Sequence, residues 1–250
     1  MDPGRAGAAG VKRRLHVPPA QLARGNPVAL TASQARYVET VLRLRAGTMI
    51  EVFDGEGRRF EAELTPSGLR IGSELPRAPE STLDVWLAQA IVKGDKLDLV
   101  VQKATELGVS RLVLFDSSRS VVKLDDRRAG SRVERLRRVA EEAARQCGRS
   151  DVPPIDGPIP LDELPGRLES DRLGLLLDPE ETELRLSQAA RGASRLCLAV
   201  GPEGGLAPEE RDRAAAAGMI PVSLGRLVFR TETAGLAALV VVRHLAGDLG

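Results

Sequence analysis

The chain has 250 residues, 42% hydrophobic and 28% charged, and its 36 basic and 35 acidic side chains leave a net charge of +1. That profile excludes a disordered or fibrous chain, and the length suffices for two domains whose cores need no disulfide or metal. The longest apolar run, Ala234–Val242, is too short for a bilayer span, no apolar stretch follows the charged N-terminus as in a signal peptide, and the two distant cysteines, Cys147 and Cys197, point to a reduced, cytoplasmic protein.

Residues 1–12 open on a small, Gly-rich stretch expected to be disordered. Residues 1–45 carry eight basic side chains against two acidic ones, net +6, and leave the other 205 residues at −5. Such asymmetry points to an N-terminal region that meets an anion, with Arg13, Arg14, Arg36, Arg43 and Arg45 as candidate phosphate contacts. Ser33–Leu42 predicts a helix capped by Ser33, with Val38, Val41 and Leu42 on one face. Met49–Phe53 and Arg58–Leu64 read as a hairpin around the Asp54–Gly57 turn, so residues 13–75 suggest a small barrel-like domain. The prolines of Pro76–Ser81 block helix and central strand alike and mark a linker.

Over residues 82–250 strands and helices alternate. Leu83–Val92, Arg111–Phe115, Leu173–Leu177, Leu196–Val200 and Ile220–Leu224 read as apolar strands. Lys96–Leu107, Ser131–Cys147, Pro208–Ala217 and Thr231–Leu245 read as helices, three of them stopped by Gly108, Gly148 and Gly218. Apolar strands alternating with helices predict an α/β fold with a parallel sheet covered on both faces.

Three segments carry polar or glycine signals. Gly201-Pro202-Glu203-Gly204-Gly205-Leu206 follows a strand and lets backbone approach a ligand, yet matches neither a P-loop nor GxGxxG. Leu224–Ala234 (LGRLVFRTETA) also runs from a strand into a helix. Its Thr231, Thr233 and Glu232 suit a helix start, whereas Arg230 is a cation at the positive end of the dipole, which a cap does not explain. Glu142–Ser150 (EAARQCGRS) closes the long helix; Cys147 has no histidine near it in sequence and reads as a buried structural cysteine. The two histidines, His16 and His244, lie near opposite ends of the chain, which argues against histidine-based zinc or triad chemistry, and no metal is expected.

Together with Val122–Leu124 (VKL) and Lys96–Gly108, these segments resemble, in this order, the RsmE family of ribosomal RNA methyltransferases in the SPOUT superfamily, over roughly Arg13 to Gly250. The resemblance implies an N-terminal PUA-like β-barrel that binds RNA, a C-terminal α/β domain ending in a trefoil knot, a homodimer, and S-adenosyl-L-methionine as cofactor. It also implies methylation of N3 of a uridine in the 16S RNA of the small ribosomal subunit. A different SPOUT target, such as a ribose 2′-hydroxyl, and a non-catalytic RNA-binding protein are the alternatives.

On that reading an apolar slot of Leu198, Leu224, Leu227 and the Gly225 backbone takes the adenine. Glu203 or the Gly204–Gly205 backbone meets ribose or the methionine tail, and Gly201, Thr231, Thr233 and Ala234 complete the cofactor set. Uridine N3 must lose its proton, so a cation should stabilise the uracil anion. Arg230 is the first choice, with Arg145 or Arg149 as alternatives that otherwise join the RNA contacts. Glu232 is the candidate base, or else a cap or hydrogen-bond organiser, and the target base is expected to be flipped out. Two positions depart from the family: Tyr37, where His is frequent, and Asp178-Pro179, where His-Pro is frequent.

Overall fold

The computed structural model describes residues 13–77, 79, 81–120 and 126–250, the side chains of residues 126–128 excepted. Residues 1–12, the Val122–Leu124 segment, and Ala78 and Glu80 of the linker lie outside the described residues. The chain divides into two compact units, Met1–Pro79 with Ala144–Val152, and Glu80–Ala143 with Pro153–Gly250. The first thus takes in a segment that the sequence reading assigns to the second domain.

In the first unit, β1 (Arg14–His16), α1 (Pro19–Leu22), α2 (Ala32–Arg36), β2 (Met49–Phe53), β3 (Arg59–Thr65) and β4 (Gly68–Leu75) follow in order. The sheet order is β1-β2-β3-β4, with β1 parallel to β2 and the remaining pairs antiparallel. Asp54 makes the β2–β3 turn, its Oδ1 accepting from the backbone N–H of Glu56 (2.8 Å) and Arg58 (3.0 Å). Leu15, Val17, Val38, Val52, Leu64 and Leu69 form the core. Helix α2 starts from Thr31 and not from Ser33, because Thr31 and Gln34 form a reciprocal capping box. The expected helix to Leu42 becomes a π-helical turn at Tyr37–Val41.

Arg14 fastens Ala144–Val152 to this sheet. It is 4% exposed, pairs with Glu51 at 2.9 Å and lies 4.7 Å from the Phe53 ring centroid. Its remaining donors reach Ala144 O (3.3 Å), Arg149 O (2.9 Å) and Ser150 Oγ (3.2 Å). The expectation that Arg14 contacts phosphate is therefore corrected: its guanidinium is enclosed and its donors are taken.

The second unit contains β5 (Asp84–Ala90), α3 (Lys96–Glu106), β6 (Arg111–Asp116), α4 (Asp126–Cys147, whose last turn belongs to the first unit), β7 (Ile155–Pro160), β8 (Leu173–Leu177), α5 (Leu186–Ala189), β9 (Arg195–Val200), α6 (Pro208–Ala216), β10 (Ile220–Val222) and α7 (Thr231–Leu245). Six parallel strands run in the order β10-β8-β9-β5-β6-β7. The central strands are apolar on both faces, as a covered parallel sheet requires, with Val85, Leu87, Leu196, Leu198 and Ala199 all buried. Helix α7 packs on α3, β5 and β9. Cys197 lies in this core, where burial pushes its thiol up to about 12. Cys147, expected to be buried, is exposed at the end of α4.

Candidate active site

Loops leave the carboxyl ends of β8, β9 and β10, the edge where open α/β sheets bind ligands. They enclose a cavity of about 420 Å³, a size suited to a small organic ligand. Its wall is apolar at Leu176, Val200, Leu206 and Val222. Gly225, at φ +129°, turns the third loop through a backbone region that side chains rarely adopt.

Of the residues expected to hold the cofactor, Gly201, Glu203, Gly205, Leu224, Gly225, Leu227, Thr231 and Ala234 line this cavity, as does Arg230. Leu198, Gly204 and Thr233 do not. Leu198 is enclosed within β9, between β5 and β8. Gly204 is exposed, its carbonyl accepting from Arg119 Nη1 at 3.1 Å. Thr233, two residues beyond Thr231 on a helix, falls on another face and is exposed.

The charge pattern adds residues that sequence reasoning missed. Lys96, at the start of α3, lines the cavity with its Nζ 3.0 Å from Glu203 Oε1 and 3.4 Å from Glu232 Oε2. Its hydrogen bond to Glu203 holds the ammonium above its ordinary value. Burial raises the Glu203 carboxyl, but a backbone hydrogen bond and Lys96 outweigh it and leave the group below its ordinary value. Glu232 is half-buried, and its Oε2 accepts no hydrogen bond, so the Lys96 contact there is an ion pair alone. Arg230 stands at the N-cap of α7, exposed, its side chain making no capping bond. Asp178 pairs with Arg211 Nη1 at 3.3 Å, and both line the cavity. The departure from His is thus occupied by a salt bridge. That Lys96 follows the carboxyl end of β5 was a usable signal; nothing local marked Arg211.

The second loop is braced from beneath. Glu210, 6% exposed in the first turn of α6, accepts from Ser118 N (2.7 Å), Ser118 Oγ (2.9 Å) and Ala207 N (2.9 Å). In the first unit Arg13, Arg36, Arg43 and Arg45 are exposed. Arg145 lies 3.8 Å from the Tyr37 ring centroid, and burial lowers its pKa. Arg149 pairs with Asp151. Among the described residues no cluster of His, Cys, Asp or Glu could hold a metal, and no helix is long and apolar enough to cross a membrane.

The chain is similar to known proteins over most of its length. The RNA methyltransferase domain family matches residues 79–243, and the RNA methyltransferase PUA domain family matches residues 30–70. The ribosomal RNA small subunit methyltransferase E of Mycobacterium bovis is 34% identical over 218 residues, 82% of each chain. That of Bacillus subtilis is 30% identical over 244 residues, 91% of this chain and 95% of its own. Among solved structures, the ribosomal RNA small subunit methyltransferase E of Neisseria gonorrhoeae bound to S-adenosyl methionine superposes with a TM-score of 0.81 at 30% identity, covering 94% of this chain and 98% of that one.

Proposed function

Because the chain belongs to the ribosomal RNA small subunit methyltransferase E family, we propose that it transfers a methyl group to N3 of one uridine of 16S ribosomal RNA. It is an S-adenosylmethionine-dependent ribosomal RNA methyltransferase with a SPOUT-type α/β domain and a PUA-like N-terminal domain. One observation carries the site assignment: the loops after β8, β9 and β10 close around one cavity that has Arg230 on its wall.

The residues present fit the cofactor. The apolar wall suits a purine, the glycine-bearing loops offer backbone partners, and the paired charges Lys96–Glu203 and Arg211–Asp178 suit a zwitterionic tail. S-adenosylmethionine supplies, when bound, a methyl group on a positively charged sulfur. Arg230 stabilises the negative charge on the uracil carbonyls as N3 loses its proton. Glu232, beside Arg230 in the first turn of α7, takes that proton. Lys96 holds Glu203 and Glu232 and thereby ties the second loop to α7.

The reading extends to the whole chain. Arg13, Arg36, Arg43 and Arg45 contact RNA phosphates, supported by their exposure. Arg145 and Arg149 are further RNA contacts. The order β10-β8-β9-β5, with α7 returning from the sheet edge onto β5 and β9, supports a knotted C-terminal segment. Exposed Leu227 (75%) and Val228 (79%) support a homodimer that covers them. The protein works in the cytoplasm, where its ribosomal substrate is.

Incubating the protein with labelled S-adenosylmethionine and small subunits that lack the modification, then mapping the product by mass spectrometry, tests the proposal. A single 3-methyluridine in 16S RNA is expected. A methylated ribose or another base would overturn it.

A further inference from the structure

Gln89 sits in central strand β5 with 0% of its surface exposed, at a position where apolar neighbours give no hint of a polar role. Its Nε2 lies 2.9 Å from Thr231 Oγ1, and Thr231 Oγ1 lies 2.6 Å from the carbonyl oxygen of Gly201. Counting protons fixes the direction. A carbonyl oxygen has none to give, so the Thr231 proton must lie on the short contact to Gly201. The hydroxyl then accepts from Gln89, which points the amide nitrogen and not the oxygen toward it. With the amide reversed, two oxygens would compete for one proton. The amide oxygen left over is buried and unpartnered, an unfavourable arrangement that the fold tolerates to keep the donor in place. Gly235 suits the close approach: a Cβ there would come 3.2 Å from Leu87 Cδ1 and 3.3 Å from Val200 Cγ2, tight contacts that those side chains would have to yield to.

We infer that Gln89 and Thr231 are positioning residues for cofactor binding. One hydroxyl fastens both the start of the Gly201–Leu206 loop and the first turn of α7 to the middle of the sheet. These are the two segments that carry Glu203 and Arg230 to the cavity, so the relay makes them one rigid unit before any ligand arrives. Thr231 lines the cavity, yet its hydroxyl is already spent between Gln89 and Gly201 and serves the ligand indirectly. The inference rests on reading the cavity as the S-adenosylmethionine site.

The full-length protein and its Thr231→Val, Thr231→Ser and Gln89→Met variants test it. Calorimetric Kd values for S-adenosylmethionine, KM and kcat, and Tm without ligand would be compared. Thr231→Val keeps the shape and loses the relay, so its Kd and KM for S-adenosylmethionine should rise about tenfold, the factor that follows from roughly 1.4 kcal/mol of lost organisation, with a smaller fall in kcat as Arg230 loses its anchor and a modest fall in Tm as buried partners go unsatisfied. Thr231→Ser restores the hydroxyl and should restore affinity, and Gln89→Met should match Thr231→Val. Equal Kd values for the Val and Ser variants would overturn the inference. So would a folded Gln89→Met variant with wild-type affinity, a result that decides the matter even should Thr231→Val not fold. A wild-type protein that binds no S-adenosylmethionine would overturn the cofactor assignment itself, whereas wild-type binding with indifferent variants would overturn the relay alone.

Discussion

Arg13 and Arg14 are adjacent in the chain and opposite in environment. Arg13 is exposed, whereas Arg14 is enclosed between Glu51, Phe53 and the carbonyls of Ala144 and Arg149. Removing Arg14 leaves the Glu51 carboxylate buried with its main partner gone. Arg14→Ala should therefore destabilise the protein by about 3 kcal/mol, as for other broken buried pairs, and be seen as a lowered Tm of the transition that contains the first unit. Arg13→Ala should leave that transition unchanged. Counting charges cannot separate these two residues, because burial is decided by strands far along the chain. The same holds for Gln89 and Lys96, whose partners lie more than a hundred residues away. Arg230 stands out in the sequence because a cation at a helix N-terminus conflicts with local electrostatics. Arg230→Ala should lower kcat by roughly 10²–10³-fold, the range for deleting one charge-stabilising donor, while the calorimetric Kd for S-adenosylmethionine stays near wild type. An unchanged kcat would remove Arg230 from the chemistry.

At the scale of elements, α6 shows how a helix start braces a loop. The Glu210 carboxylate accepts from its own helix start at Ala207 and from Ser118. Burial pushes this carboxyl up, but those hydrogen bonds outweigh it and hold it below its ordinary 4.5. A carboxyl lowered by folding adds stability above its unfolded value and loses it as pH falls through the folded value. Glu210→Gln should thus cost about 2 kcal/mol near neutral pH, typical of hydrogen bonds to a charged group. The difference in Tm between the two proteins should shrink below pH 4.5; a gap constant down to about pH 3 would assign the effect to shape and not charge. The strands of the parallel sheet were legible for a simple reason: β5, β6, β8 and β9 are buried on both faces and read as largely apolar runs, in β5 with Gln89 as the inner exception. Strand β7, IDGPIP, was not, because its two prolines and glycine forbid a central strand and fit only the sheet edge it occupies. The start of α4 at Asp126, earlier than the expected Ser131, was hidden by Gly130, a helix breaker that tertiary packing overrides.

For the whole molecule, a net charge near zero conceals a basic N-terminal stretch and an acidic remainder. If phosphates are held by Arg13, Arg43 and Arg45, replacing all three with Gln should weaken RNA binding. It should also flatten the plot of log affinity against log salt by roughly three charges' worth, a slope of about 0.7–0.9 per phosphate contact. An unchanged slope would place the RNA elsewhere. Legibility was greatest at the loops after β9 and β10, where strand ends coincide with glycines, and least where the chain returns on itself.

The return of Ala144–Val152 to the first unit also constrains how the protein is made. A chain emerging from the ribosome presents residues 1–79 first, with Arg14, Glu51 and Phe53 ready for a segment not yet synthesised. At about 5–20 residues per second, the intervening 80–143 take roughly 3–13 seconds to appear. The core of the first unit, drawn from residues 15–71, can thus form before the segment that covers Arg14 exists. Newly made N-terminal fragments should accordingly be open at Arg14 to proteases and chaperones until residue 152 has emerged, and an enzyme that modifies ribosomes depends on an uninterrupted ribosome for its own completion.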